Sequence, residues 1–257
     1  MPLLEVKNLS KAFGGLKAVS DVSFHVDEGE IVGLIGPNGA GKTTVFNLIT
    51  GIIPPDSGEV VFLGRQLAGL TPHEVAQAGI ARTFQNIRLF KNMSVLDNVR
   101  ASFHCRLNYG LAQGAFHGKR FVDSENGTYS QAMGLLARFG LDDKADMNAG
   151  NLPYGTQRRL EIARALALNP KVLLLDEPAA GMNPNELSSL LDLIRSLRTE
   201  FGLTVLLIEH QMGLVMNLCE RIVVMDFGQV IARGLPHEIR QNPRVLEAYL
   251  GRGAAVS

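Results

Sequence analysis

Residues 36–44 read GPNGAGKTT, a run that satisfies the spacing G-x-x-x-x-G-K-[ST]. The apolar run IVGLI precedes it and the helical stretch VFNLIT follows, closing at Gly51, so the glycines stand between a buried strand and a helix. Gly36, Gly39 and Gly41 let the backbone curl until successive N–H groups face a phosphate, and the helix dipole adds a positive end. Pro37, Asn38, Ala40 and Thr44 complete the expected cradle. Lys42 is then in reach of β and γ phosphates, and Thr43 offers a hydroxyl to Mg²⁺. A glycine-rich turn before a helix also occurs without a ligand; the lysine, the threonine and the strand in front are what point to a nucleotide.

A metal-bound nucleotide needs a carboxylate as well. The segment KVLLLDEP (171–178) supplies two at the end of an apolar run: Asp176 to hold Mg²⁺ directly or through water, and Glu177 to polarise water. Adjacent acids at the carboxyl end of a strand lie where open α/β sheets bind ligands. A solvated acidic pair is the plain alternative, and the four apolar residues before it argue against a solvated face.

These side chains need a scaffold. Continuous apolar runs at 31–35, 171–175, 204–208 and 221–225 suit strands buried on both faces, as in a parallel sheet. The helix from NPNELSSLLDLIRSLR has Asn183 as cap, Pro184 at its first position, Glu186 at capping-box spacing and one stripe of Leu187, Leu190, Leu191, Ile194 and Leu197. A second helix starts at Thr71-Pro72 with Glu74 and stops at Gly79. Residues 3–30 and 58–66 alternate between faces, with turns at Gly14-Gly15, Glu28-Gly29 and Gly64, which predicts an antiparallel β portion beside the core. Residues 92–150 lack a buried-strand run and read as helices interrupted by a polar stretch near 108–128.

With 257 residues, 46% of them hydrophobic and 19% charged, the composition is that of a folded globular chain. Lys plus Arg equals Asp plus Glu at 25 each, so no overall basic field draws the molecule to nucleic acid. Cys105 and Cys219 form no metal-ligand spacing and are expected to be ordinary thiols in a reducing, cytosolic compartment. The N-terminal stretch carries Glu5, Lys7 and Lys11 where a signal peptide would be apolar, and no run approaches the roughly 18 apolar residues of a membrane helix. Membrane work would therefore need another subunit to span the bilayer.

This order of motifs resembles the ATP-binding subunits of ABC transporters over nearly the whole chain. The resemblance implies an α/β fold, a P-loop NTPase ABC cassette with a RecA-like parallel-sheet core, an antiparallel β subdomain and an inserted α-helical subdomain. It implies one ATP-binding domain over 1–257. The core and β subdomain would occupy 1–91 and 165–234, the helical signature subdomain 92–164, and a C-terminal helix and frayed tail 235–257. Phe13 stands where the family stacks an aromatic ring on adenine, although an ordinary strand aromatic fits the same place. Gln85, in RTFQNIRLF, matches the glutamine that serves as metal and water ligand and senses the membrane partner. His210, in LLIEH, matches the switch histidine at the γ phosphate.

The family's signature, LSGGQ, aligns with Leu152, Pro153, Tyr154, Gly155 and Thr156. Only the leucine and the second glycine match, and Pro153 stands where a serine hydroxyl would bind phosphate. A helix start still offers free N–H groups and a positive dipole end. In the family it covers ATP held by a second subunit, which implies a partner ATPase. DEPAAGMNP departs from the common D-loop: Gly181, Met182 and Asn183 replace its last three residues, and Asn183 serves either as helix cap or as a contact across the subunit interface.

The stretch NLPYGTQRRLEIARALA, with RTFQNIRLF, DEPAAGMNP, LIEHQM and AYLG, is similar to the LivG-type ATPases of branched-chain amino-acid importers. That likeness implies ATP and Mg²⁺ as cofactors, a peripheral position on the cytoplasmic face of the inner membrane, two transmembrane permease subunits, and a solute-binding protein acting indirectly. The second ATPase would be a LivF-like chain or a second copy. Residues 86–105 are expected either to receive a coupling helix of the permease or to form an ordinary polar loop. Other readings stay open on the sequence: urea or amide uptake, lipid export, a soluble ABC ATPase outside transport, or nucleotide binding without catalysis.

Overall fold

A computed structural model describes residues 2–104 and 119–250. The apolar runs form β3 (Ile31–Ile35), β7 (Val172–Asp176), β8 (Thr204–Ile208) and β9 (Arg221–Asp226). With β6 (Ile80–Arg82) and β10 (Gln229–Gly234) they build one sheet in the order β10-β9-β3-β8-β7-β6. All its pairings are parallel except β10 on β9.

Side chains alternate across a strand, so a run buried on both sides must feed two cores. Leu173 and Leu175 join Ile31, Ile35, Val205 and Leu207 in one. Val172 and Leu174 join Val32, Leu34, Leu206 and Ile208 in the other. The second core is closed by an antiparallel sheet in the order β2-β1-β4-β5. Its strands are β1 (Leu4–Phe13), β2 (Leu16–Val26), β4 (Ser57–Phe62) and β5 (Arg65–Gln66), with turns where the glycines foretold them.

Helix α1 (Lys42–Ile49) leaves the phosphate-type loop, and α2 (Pro72–Ala78) starts at a capping box made by Thr71 and Glu74. The helical part holds α3 (Val95–His104), α4 (Lys119–Arg138) and α5 (Tyr154–Leu166), whose buried faces share the first core. Helix α5 runs two residues past the expected boundary at 164. The polar stretch expected to interrupt the helices near 108–128 is corrected in its second half, because α4 is helical from Lys119 onward. Residues 105–118, with Cys105, and the tail 251–257 lie outside the described residues.

Helix α6 (Pro184–Phe201) follows its expected cap and buries Leu190, Ile194 and Leu197. After α7 (Met212–Leu218), β9 and β10, the described residues end in two short helices, α8 (Pro236–Gln241) and α9 (Pro243–Leu250). The break falls at Asn242, whose extended backbone is what a following proline imposes. Cys219 is buried, and burial pushes its thiol up to about 12. No described helix is long and apolar enough to cross a membrane.

Candidate nucleotide site

The loop 36–41 leaves the carboxyl end of β3 and passes so close to its neighbours that two positions admit only glycine. A Cβ on Gly36 would lie 2.0 Å from the Met225 carbonyl oxygen, and one on Gly41 2.4 Å from that of Ala18. Both also have positive φ, 150° and 97°. Lys42, nearly buried at the start of α1, donates from Nζ to the carbonyls of Gly36 at 2.7 Å and Pro37 at 2.9 Å. Burial lowers its pKa against the opposing pull of Glu177 and Asp176.

Across the loop, three expected residues meet at one atom. Glu177 Oε2 accepts a hydrogen bond from Gln85 Nε2 at 2.8 Å. His210 Nδ1 stands 3.8 Å from the same oxygen. Glu177 adopts a left-handed backbone, φ 46°, unusual for a residue with a side chain and of the kind that collects at functional sites. Residues 36–44, Gln85, Glu177 and His210 line one cavity of about 660 Å³.

Asp176, next to Glu177, does not itself line that cavity; it is buried, with Oδ2 accepting from Arg82 Nη2 at 2.8 Å. Phe13, 49% exposed at the end of β1, does not line the cavity. The signature positions Leu152, Tyr154, Gly155 and Thr156 lie away from it too. Leu152 is buried in the first core, while Tyr154 is 45% exposed at the start of α5, beside Gly181. Asn183 caps α6, accepting from the backbone N–H groups of Asn185 and Glu186 at 3.0 Å each.

Several residues that build the site lie within the family-like stretches without being assigned a role by them. Glu209, fully buried, accepts from the N–H groups of Ala179 at 3.0 Å and His210 at 3.1 Å, so it ties the turn after β7 to the histidine. Arg158 and Glu161, both buried on α5, bond each other at 2.6 Å. Arg158 also donates to the carbonyls of Phe84 at 2.6 Å and Gln85 at 2.8 Å. Glu161 accepts from the N–H of Arg88 at 3.2 Å. Tyr249, from α9, lines the cavity, and burial raises the pKa of its phenol against the lowering effect of the Gly36 backbone. The legible hint is the pair of opposite charges, Arg158 and Glu161, three residues apart at helical spacing; for Glu209 and Tyr249 the family-like stretches mark the place but not the role.

The donor set fits a metal-bound nucleotide. A loop that glycines let press against the backbone of Met225 and Ala18, opening onto the cavity at the start of a helix, and a buried lysine bonded to loop carbonyls suit phosphate. Thr43, Asp176 and the amide oxygen of Gln85 are oxygen donors, the ligands Mg²⁺ takes together with phosphates and water.

Known proteins resemble this chain in sequence and in fold. Residues 19–180 match the ABC transporter family, and residues 229–255 match the family described as branched-chain amino acid ATP-binding cassette transporter. The high-affinity branched-chain amino acid transport ATP-binding protein BraF of Pseudomonas aeruginosa is 48% identical over 97% of this chain and 98% of its own. The corresponding protein LivG of Salmonella typhimurium is 48% identical with the same coverage. In solved structures, the ADP conformation of MJ1267, an ATP-binding cassette of an ABC transporter, is 33% identical. It superposes with a TM-score of 0.84 over 98% of this chain and 99% of that one. The chain belongs to the ATP-binding subunits of ABC transporters, in the branch of the branched-chain amino-acid transport ATP-binding proteins.

Proposed function

We propose that this ABC ATPase powers uptake of branched-chain amino acids, with its hydrolytic centre built from Lys42, Gln85, Glu177 and His210. The observation that supports the centre is the meeting of Gln85 and His210 at Glu177 Oε2, on the wall of the cavity that the phosphate loop forms. The BraF and LivG names support the cargo.

In this reading the loop N–H groups and Lys42 bind the β and γ phosphates, neutralising charge that grows during transfer. Glu177 orients the attacking water and accepts its proton, and His210 holds water and γ phosphate in line. Gln85 fixes the Glu177 carboxylate until the nucleotide arrives. Thr43, Gln85 and Asp176 would hold Mg²⁺, which would supply positive charge to the phosphates when bound. Phe13 stacks on adenine from the end of β1.

The start of α5, with Tyr154, Gly155 and Thr156, covers the ATP of a second, LivF-like ATPase, while Gly181 faces that subunit; Leu152 anchors the helix start in the core and Asn183 keeps its role as the cap of α6. Closure around two ATP molecules and reopening after hydrolysis then bias a two-state assembly. Residues 1–91 and 165–234 act as the catalytic part and 92–164 as the signature part. Two permease subunits hold the chain at the cytoplasmic face of the inner membrane, and a solute-binding protein delivers the amino acid.

The test is purification of the tagged chain from native membranes, followed by reconstitution in liposomes with radiolabelled leucine. Copurification of a second ATPase and two membrane subunits, with ATP-dependent leucine uptake, is expected. A functional transporter containing only this ATPase in two copies would overturn the heteromeric reading. Uptake of urea or an amide in place of leucine would overturn the cargo.

A further inference from the structure

Arg82 ends β6, three residues before Gln85, and its side chain is almost wholly buried. Its guanidinium joins three elements. Nη2 donates to Asp176 Oδ2 at 2.8 Å. Nη1 donates to Asn47 Oδ1 at 2.7 Å and to Thr50 Oγ1 at 3.3 Å, both on or just beyond the helix that follows the phosphate loop. The rings of Phe46 and Phe84 lie 5.3 Å and 4.9 Å from the guanidinium carbon.

Such a fork, held at both prongs and flanked by two rings, has little rotamer freedom left to lose. Among the described residues no hydrogen bond reaches the other Asp176 oxygen, Oδ1. A carboxylate with one oxygen fixed by a rigid donor presents its second oxygen at a set angle. This is the arrangement by which outer partners orient a metal-facing group.

We propose that Arg82 is a positioning residue for the metal-facing carboxylate: it pins Oδ2 of Asp176 and so sets Oδ1 toward Mg²⁺-ATP. The inference rests on the nucleotide reading above. It extends that reading to an arginine that does not line the nucleotide cavity. Because the same side chain braces Asn47 and stacks beside Phe84, the phosphate-loop helix, the metal side and the strand leading to Gln85 share one anchor.

The test compares ATP affinity by calorimetry in Mg²⁺ and in EDTA for the full chain, Arg82→Gln, Arg82→Lys and Asp176→Asn, alongside melting of each without nucleotide. In Arg82→Gln the affinity gain from Mg²⁺ is expected to shrink by about tenfold or more, with the EDTA affinity unchanged. Asp176→Asn should remove most of that gain. A folded Arg82→Gln that keeps the wild-type gain, or that loses affinity equally in EDTA, overturns the proposal and leaves Arg82 a structural brace.

Should Arg82→Gln fail to fold, Arg82→Lys decides. Its single ammonium cannot reach Asp176 and Asn47 together in the forked geometry, so the gain must fall, and an unchanged gain overturns the proposal. If the unaltered chain binds ATP without any gain from Mg²⁺, it is the nucleotide reading that fails, a different result.

Discussion

Two helix starts in this chain offer N–H groups to an anion, and they are finished to different degrees. The start of α1 is wrapped by a glycine loop and faced by Gln85, Glu177 and His210. The start of α5 has Pro153 at its cap with no side-chain bond, no acid in its first turn and an exposed Tyr154. One end carries a carboxylate, an imidazole and a lysine; the other adds to its backbone only the hydroxyls of Tyr154 and Thr156. A chain built this way holds one furnished half of a phosphate site and one bare half. The two halves are also linked, since Arg158 and Glu161 fasten α5 to the backbone of Phe84, Gln85 and Arg88.

The largest effect should come from the furnished end. Glu177→Gln keeps the shape of the side chain but removes the proton acceptor, so turnover in the reconstituted complex is expected to fall about 10²- to 10⁴-fold. ATP affinity by calorimetry should stay near wild type. Equal losses in binding and turnover would mean that Glu177 holds the nucleotide and leaves the proton to another group.

The link should give the next largest effect. Arg158→Met strands a buried Glu161 and is expected to cost about 3–5 kcal/mol in denaturant unfolding, while Arg158→Met with Glu161→Met should cost far less. The double variant then isolates coupling from stability. If it folds and hydrolyses ATP with wild-type dependence on the partner subunits, the two ends work independently and the link is only packing.

How much of this could be read in advance follows from where each signal lives. β3, β7, β8 and β9 were legible because burial on both faces leaves unbroken apolar runs. β6 was not, being three residues long directly after the glycine that ends α2. β10 pairs antiparallel at the sheet edge and is half exposed, so it lacks such a run. The caps of α2 and α6 were legible because their bonds span three residues. The polar stretch near 119–128 misled because polar residues on a helix surface read the same as a loop.

The furnished site divides in the same way. Lys42, Asp176, Glu177 and His210 are marked by a loop spacing or by the end of an apolar run. Arg82 finds Asp176 from 94 positions away, and Arg158 finds Phe84 from 74. Glu209 stands beside a residue that was singled out, yet its buried role at Ala179 depends on a partner 30 positions distant. Only the fold brings these together.

The smallest effect, and the one that sharpens the contrast most, concerns Gly155. A Cβ there would lie 2.7 Å from Glu186 Oε1, closer than real contacts allow, so the carboxylate must move. Its other oxygen accepts from the Asn183 N–H at 3.0 Å and closes the cap of α6, a bond worth about 1 kcal/mol. Against that loss, alanine in place of glycine in a helix contributes up to about 1 kcal/mol. The two terms oppose, so Gly155→Ala should melt within a few degrees of wild type. The added methyl nevertheless thickens the bare helix start and displaces the acid behind it. ATP-driven pairing, followed by light scattering with the partner ATPase, should therefore weaken more than nucleotide binding by the isolated subunit does. Matching losses would place Gly155 at the chain's own nucleotide, and the two helix starts would then serve one site rather than two.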